Sequence, residues 1–100
     1  MKVAMGKGIQ ELEDIDVVCK ALAHCSRRQI LVVLNALGGV MTAGEIAKRF
    51  SCSWPTTTRH LRQLESAGLV SVERKGREQV YRLNIARLKH SLGKWINYFE

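Results

Sequence analysis

A mostly helical α+β fold is what this 100-residue chain predicts, and three observations predict it. Apolar residues recur at helical spacing over most of the chain. From Leu69 to Arg74 and from Glu78 to Leu83 that pattern yields to β-branched and aromatic residues around Gly76, which reads as a hairpin. The helix just before it starts Ser53-Trp54-Pro55-Thr56-Thr57-Thr58-Arg59-His60, short-chained and basic, beside the basic hairpin tip Arg74-Lys75-Gly76-Arg77.

The first helix is predicted from Ile9 to near His24, with Leu12, Ile15, Val18, Cys19 and Leu22 at helical spacing. Residues 1–8 hold no apolar run of the secretory type and are expected to form a flexible tail. Ser26 can help start the second helix, in which Ile30, Leu31, Val33, Leu34 and Leu37 face inward and Gly38-Gly39 ends the run. Thr42 and Glu45 stand three apart as a capping box for the third, whose buried stripe is Ala43, Ile46, Ala47 and Phe50. Ser51-Cys52-Ser53 forms the turn. Ser53 is a good N-cap for the fourth helix, Pro55 fits its first turn, and Gly68 follows its last residues. Asn84 can cap a final helix striped by Ile85, Leu88, Leu92, Trp95, Ile96 and Phe99. Helices, a hairpin and a closing helix in this order make a winged helix-turn-helix over residues 9–100, one domain.

A domain this small buries a modest core and often gains stability by oligomerising. Hydrophobic residues make up 46% of the chain, which excludes disorder, and no apolar run is long enough to span a bilayer. A cytoplasmic location is expected. The net charge of +7 favours acidic partners, nucleic acid first. Cations crowd from Arg59 to Arg82, while Glu11, Glu13, Asp14 and Asp16 lie near the start.

Taking Thr57, Leu61 and Leu64 as the inner face of the fourth helix fixes its outer face. At about 100° per residue, Pro55, Arg59, Arg62 and Ser66 point away from the core, flanked by Thr56, Thr58 and Gln63. The N-terminal part of such a helix meets base edges in the major groove. Trp54, Thr56, Thr58 and Arg59 are then nearest the groove floor. Threonine offers a hydroxyl and a methyl, and arginine can take guanine bidentately. Ser53, His60 and Arg62 suit phosphate contacts. Two positions read either way. His60 is a phosphate ligand or a hydrogen-bonded structural histidine, and Trp54 touches DNA or staples the helix start to the core. Arg74, Lys75 and Arg77 at the hairpin tip suit a phosphate or a narrow minor groove, or else guard a charged sheet edge.

The three cysteines, Cys19, Cys25 and Cys52, form no C-x-x-C pair, and their odd number argues against a disulfide framework. Cys25 falls near a helix start beside Arg27 and Arg28, where a thiol pKa is lowered. Cys19 and Cys25 are therefore candidate redox residues; the alternative is that both are small buried hydrophobes. No Ser/His/Asp set, phosphate loop or paired carboxylates stands out, so no enzyme is predicted. Besides a DNA-binding regulator, a winged-helix module that binds protein without specific DNA recognition fits the same faces.

Ala21-Leu22-Ala23-His24-Cys25-Ser26-Arg27-Arg28-Gln29-Ile30-Leu31 resembles the opening of the second helix in the ArsR/SmtB winged-helix repressors. Ser53 to Leu64 resembles their recognition helix, and Ala67-Gly68-Leu69-Val70 with Gly76 to Leu83 resembles their wing. The resemblance covers nearly the whole chain after Asp14. It implies a homodimeric bacterial or archaeal repressor, nucleoid-associated, that binds a partly palindromic double-stranded DNA operator over a promoter. It also implies that the first and last helices form the dimer interface, here Leu12 and Ile15 with Leu88, Leu92, Trp95, Ile96 and Phe99. That last stripe is generous for a chain-terminal helix, unless it closes the monomer core.

The departures concern metals. Family members that sense arsenic or heavy metals on the third helix carry a cysteine motif there; Met41-Thr42-Ala43-Gly44-Glu45-Ile46-Ala47 has no thiol. Members that sense zinc on the last helix carry Asp and His ligands at two levels, whereas this one offers His90, with Glu100 at the chain end. Neither site is usable, since such sites need several N, O or S ligands. No cofactor or metal is expected beyond an atypical Cys/His site using His24. Ser51 stands where the family often has glycine, and His24-Cys25 where it usually has Asp-Pro. The effector stays unassigned.

Overall fold

Each helix after the first starts on a side chain that catches a free backbone N–H. A computed structural model describes residues 7–50 and 53–100, without the side chains of 7–11. Helix α1 (Lys7–Leu22) begins two residues before the predicted start; the rest of the expected tail lies outside the described residues. Helix α2 (Cys25–Ala36) is capped by His24, whose Nδ1 accepts the Ser26 N–H at 3.1 Å. Ser26 therefore lies inside the helix and does not cap it. The capping box of α3 (Ala43–Lys48) is complete: the Glu45 N–H reaches Thr42 Oγ1 at 3.1 Å, and the Thr42 N–H reaches Glu45 Oε1 at 3.2 Å. Ser53 caps α4 (Trp54–Ser66), and Asn84 caps α5 (Ile85–Ile96). The chain after Ile96 tightens into a 3₁₀ turn, Asn97–Phe99, so Phe99 does not continue the α-helical stripe.

Helix α4 ends in a Schellman motif. The Leu69 N–H returns to Leu64 O at 3.0 Å and the Gly68 N–H to Glu65 O at 2.9 Å. Gly68 takes φ of +77°, and a Cβ there would stand 3.3 Å from Arg87 Nε. Gly68→Ala is thus expected to lower stability by about 1–2 kcal/mol, read from a denaturant midpoint.

The hairpin pairs β2 (Val70–Lys75) with β3 (Glu78–Leu83), Lys75 opposite Glu78. Gly76 opens the two-residue turn at φ 62°, the conformation a tight hairpin needs. A third strand, β1 (Val40–Thr42), was not foreseen; it pairs with the other side of β3 in the order β1-β3-β2. Three residues just after a glycine pair carry little period-2 signal, and the pairing is long-range. Its effect is local and clear. Met41 and Val72 flank Tyr81 across the sheet, and this row faces the helices.

The core joins Val18 and Ala21 of α1, Ile30, Leu31 and Leu34 of α2, Ile46 of α3, Leu61 and Leu64 of α4, and the sheet row. Leu37, expected inward, is 45% exposed, because it is the residue on which α2 stops. Arg87 of α5 ties three elements. Its guanidinium holds Asp14 of α1 at 2.6 and 2.9 Å, and its Nε donates to Ala67 O at the end of α4 at 3.2 Å. The hydrogen bond from Arg87, more than any other influence, holds the Asp14 carboxyl below its ordinary value. A folded value below the unfolded one means stability present above pH 3.8 and lost as pH falls through the folded value. The melting-temperature gap between wild type and Asp14→Asn is therefore expected to shrink as the pH drops below 3.8.

Candidate nucleic-acid interface

Helix α4 turns its apolar side to the core, with Thr57, Leu61 and Leu64 at 2%, 2% and 0% exposure. That fixes what faces outward: Pro55, Arg59, Arg62 and Ser66 are all exposed, as the periodicity required. Neither Arg59 nor Arg62 makes a hydrogen bond or ion pair with another described residue. Both guanidinium groups can engage a partner at no cost to the fold. Thr58 is half-buried at the flank. Thr56 is also half-buried; its Oγ1 accepts from Ser53 Oγ at 3.0 Å and its N–H donates to that same Oγ at 3.4 Å. The Ser53 hydroxyl is thus engaged in the cap, and with its one proton on Thr56 Oγ1 it has no donor for a phosphate oxygen, contrary to the expected phosphate contact.

Trp54 is 55% exposed, so it does not staple the helix to the core. It lines an open cleft of ≈ 300 Å³ with Arg74, Arg77, Glu78 and Gln79 of the wing and Thr42 and Gly44 beside α3. The start of α4 and the wing arginines therefore face one opening. Arg74 curls over the hairpin tip, its Nε donating to Gly76 O at 3.2 Å. Lys75 and Arg77 are exposed. Cations from the wing and an aromatic from the helix start thus line one cleft, with the Glu78 carboxylate among them.

His60 corrects the expected site. It is 7% exposed and turns from the outer face into the junction of α1 and α2. Its ring lies against His24, centroids 4.4 Å apart, and its Nδ1 is 3.3 Å from Arg27 Nη1. Arginine has no acceptor, so His60 Nδ1 accepts and carries no proton. Burial first, then the charges of His24, Arg27 and Arg59, keeps the imidazole below its ordinary value of 6.5. A buried neutral imidazole cannot reach a phosphate. Its position beside the inner face had already left this reading open.

Arg27 and Arg28 were not picked out from the sequence as structural residues. Arg27 donates to Ala21 O at 2.6 Å and Lys20 O at 3.1 Å, and Arg28 donates to Leu22 O at 2.6 Å. They close the C-terminal end of α1, where of these carbonyls Lys20 O also accepts the Ala23 N–H at 3.3 Å. The signal was available: two arginines just past a helix break.

Thr57 Oγ1 is buried with no hydrogen-bond partner among the described residues. Thr57→Val, which removes the orphan hydroxyl at constant shape, is expected to leave stability unchanged or raise it by about 1 kcal/mol. Thermal melting checks it.

Cys19 and Cys25 are both exposed, which removes the reading of them as buried hydrophobes. Cys52 lies outside the described residues. Among the described residues, no three His, Cys, Asp or Glu side chains gather to hold a metal ion. No described helix is long and apolar enough to cross a membrane.

A second exposed surface runs along α5. Trp95, Ile96, Tyr98 and Phe99 are 44%, 52%, 40% and 73% exposed, and Val17 of α1 is 45% exposed. Trp95 and Phe99 meet edge to face, centroids 5.2 Å apart. Leu12, Leu88 and Leu92 are half-buried, and Ile15 is already packed within the protomer at 9% exposure. So the stripe does not simply close the monomer core; its C-terminal half stands open.

A helix-turn-helix domain model matches residues 22–73, from the end of α1 into β2. The chain is 41% identical to the transcriptional repressor SdpR of Bacillus subtilis, over 83% of this chain and 90% of that protein. It is 30% identical to the arsenical resistance operon repressor of Staphylococcus aureus, over 76% of this chain and 71% of that one. Among solved structures, an ArsR-like transcriptional regulator from Rhodococcus sp. RHA1 superposes with a TM-score of 0.75 at 28% identity, covering 87% of this chain and 80% of that one. The solution structure of a homodimeric winged helix-turn-helix DNA-binding domain from Mycobacterium bovis gives 0.74 at 28% identity, covering 100% of this chain and 92% of that one. These relatives are regulators of transcription, and none favours a module that binds protein alone.

Proposed function

This chain belongs to the ArsR family of helix-turn-helix transcriptional regulators, and we propose that it is a homodimeric repressor that binds a partly palindromic operator and occludes a promoter. It works in the cytoplasm on nucleoid DNA and catalyses no reaction. The observation that carries the reading is the outer face of α4: Arg59 and Arg62, exposed and with no side-chain hydrogen bond or ion pair to another described residue, share a helix whose start opens onto the wing arginines. Trp54, Thr56, Thr58 and Arg59 read base edges, and Arg62, Arg74, Lys75 and Arg77 hold the backbone, while Ser53 caps the helix that carries them. Two copies set two such helices in successive major grooves, which is what a palindrome presents.

The open stripe of Trp95, Ile96 and Phe99, with Val17 of α1, supports self-association. Sedimentation equilibrium of the full chain is expected to give the dimer mass.

Selection from random-sequence DNA is expected to enrich one half-site and its inverted repeat. Lys75→Ala should then weaken all duplexes alike and lower the salt dependence of binding by about one unit of slope. A Lys75→Ala variant that changes the preferred sequence instead would overturn the phosphate role.

Cys19 and Cys25 are the chain's candidate redox groups, exposed and therefore accessible. Duplex binding by wild type and Cys25→Ser, before and after mild oxidation, tests them. Equal binding throughout ends that role.

A further inference from the structure

We propose that His24, Arg27 and His60 form a positioning device that seats the recognition helix against the α1–α2 junction only while the buried His60 imidazole is neutral, so that acid weakens DNA binding. The proposal rests on reading α4 as the groove-reading helix, and it adds a control that this reading does not contain.

Each imidazole uses Nδ1 as an acceptor. That of His24 takes the Ser26 N–H and starts α2; that of His60 takes a guanidinium N–H of Arg27. A proton on either nitrogen removes its bond, because an imidazolium can only donate. The same Arg27 closes α1 through Lys20 O and Ala21 O. One side chain thus spans the end of α1, the start of α2 and the middle of α4.

The surroundings offer a new charge nothing. The groups that act on the His60 ring are His24 at the cap of α2, Arg27 of α2 and Arg59 from its own helix, and no carboxylate is among them. From α1 come main-chain carbonyls, and these already accept from Arg27. A proton on His60 would therefore meet burial, the charges of Arg27 and Arg59, and a lost acceptor together. It enters most easily if α4 shifts away from the junction. His60 is flanked by Arg59 and lies two residues before Arg62, so such a shift moves the outer arginines with it.

The sign separates this device from ordinary electrostatics. Histidine is the side chain whose ordinary value puts its charge change in this range. Added positive charge on a DNA-binding protein normally tightens binding as the pH falls. Here binding should weaken instead.

The test uses the full chain and a duplex of about 30 base pairs selected from random DNA at about pH 7.5. Fluorescence anisotropy reads affinity from about pH 7.5 to 5.5, and far-UV circular dichroism is followed in parallel. Wild type is expected to lose about five- to tenfold in affinity on acidification with its helical signal retained. His60→Asn keeps an uncharged acceptor near the Nδ1 position and should bind alike at both ends. His24→Asn keeps an N-cap without the imidazole, and should flatten part of the profile even if His60→Asn folds poorly. Wild-type affinity that holds or tightens at about pH 5.5 overturns the device and leaves DNA binding standing. A profile that parallels loss of the helical signal also overturns it, since global unfolding then explains the loss. Failure to select any duplex at about pH 7.5 overturns the DNA-binding reading and this proposal with it.

Discussion

Leu64→Ala is expected to lower stability by about 2–5 kcal/mol, the largest single loss foreseen for this chain. Leu64 is 0% exposed and stands on the inner face of α4, in one cluster with Leu31 and Leu34 of α2 and Tyr81 of β3. Truncation removes its burial and leaves a cavity that flanking backbone cannot fill, because Leu64 O is also the anchor of the turn that ends α4. Against a typical total of about 5–15 kcal/mol, the variant keeps little margin. Urea unfolding beside wild type measures the loss. Leu64→Met, close in volume, should cost less than about 1.5 kcal/mol, and Ser66→Ala on the exposed face less than about 0.5 kcal/mol. A loss below about 1 kcal/mol for Leu64→Ala would mean that α4 is not seated as described.

Arg59→Ala carries the second large effect, on binding and not on folding. It should cost about 1–3 kcal/mol on the preferred duplex and relax the preference at one base position per half-site. Arg59 is exposed and makes no hydrogen bond or ion pair with a described residue, so truncation leaves no buried group unpaired. The melting temperature should therefore stay within a few degrees. The contrast with Lys75→Ala is diagnostic: a base contact changes which sequence is preferred, and a phosphate contact lowers affinity for all sequences. A uniform loss for Arg59→Ala would move Arg59 into the phosphate-binding set.

Much of this arrangement was legible from local patterns. The capping box at Thr42, the cap at Ser53, the stop at Gly68 and the hairpin around Gly76 each depend on a few neighbouring residues, and each is where the sequence placed it. The outer face of α4 follows from periodicity with Thr57, Leu61 and Leu64 as the inner residues. Pairings between distant residues were not legible. Strand β1 joins residues about 40 apart, Arg87 finds Asp14 across 73 positions, and Arg27 finds His60 across 33. No short-range signal encodes those distances. His60 sits at the border of the two faces, where a turn of a few tens of degrees decides between solvent and core. His24 was noted as a departure from a family pattern, and its role as the cap of α2 depended on rotamer geometry that the sequence does not carry.

If α4 and the wing grip a DNA duplex through its backbone while reading its bases, affinity for the selected duplex must depend steeply on salt. If two copies together neutralise about six or more phosphates, raising salt from about 50 to 200 mM should weaken binding by about a thousandfold, with log Kd linear in log salt. An affinity that stays flat over that range, or no duplex binding at the low end, would contradict the account.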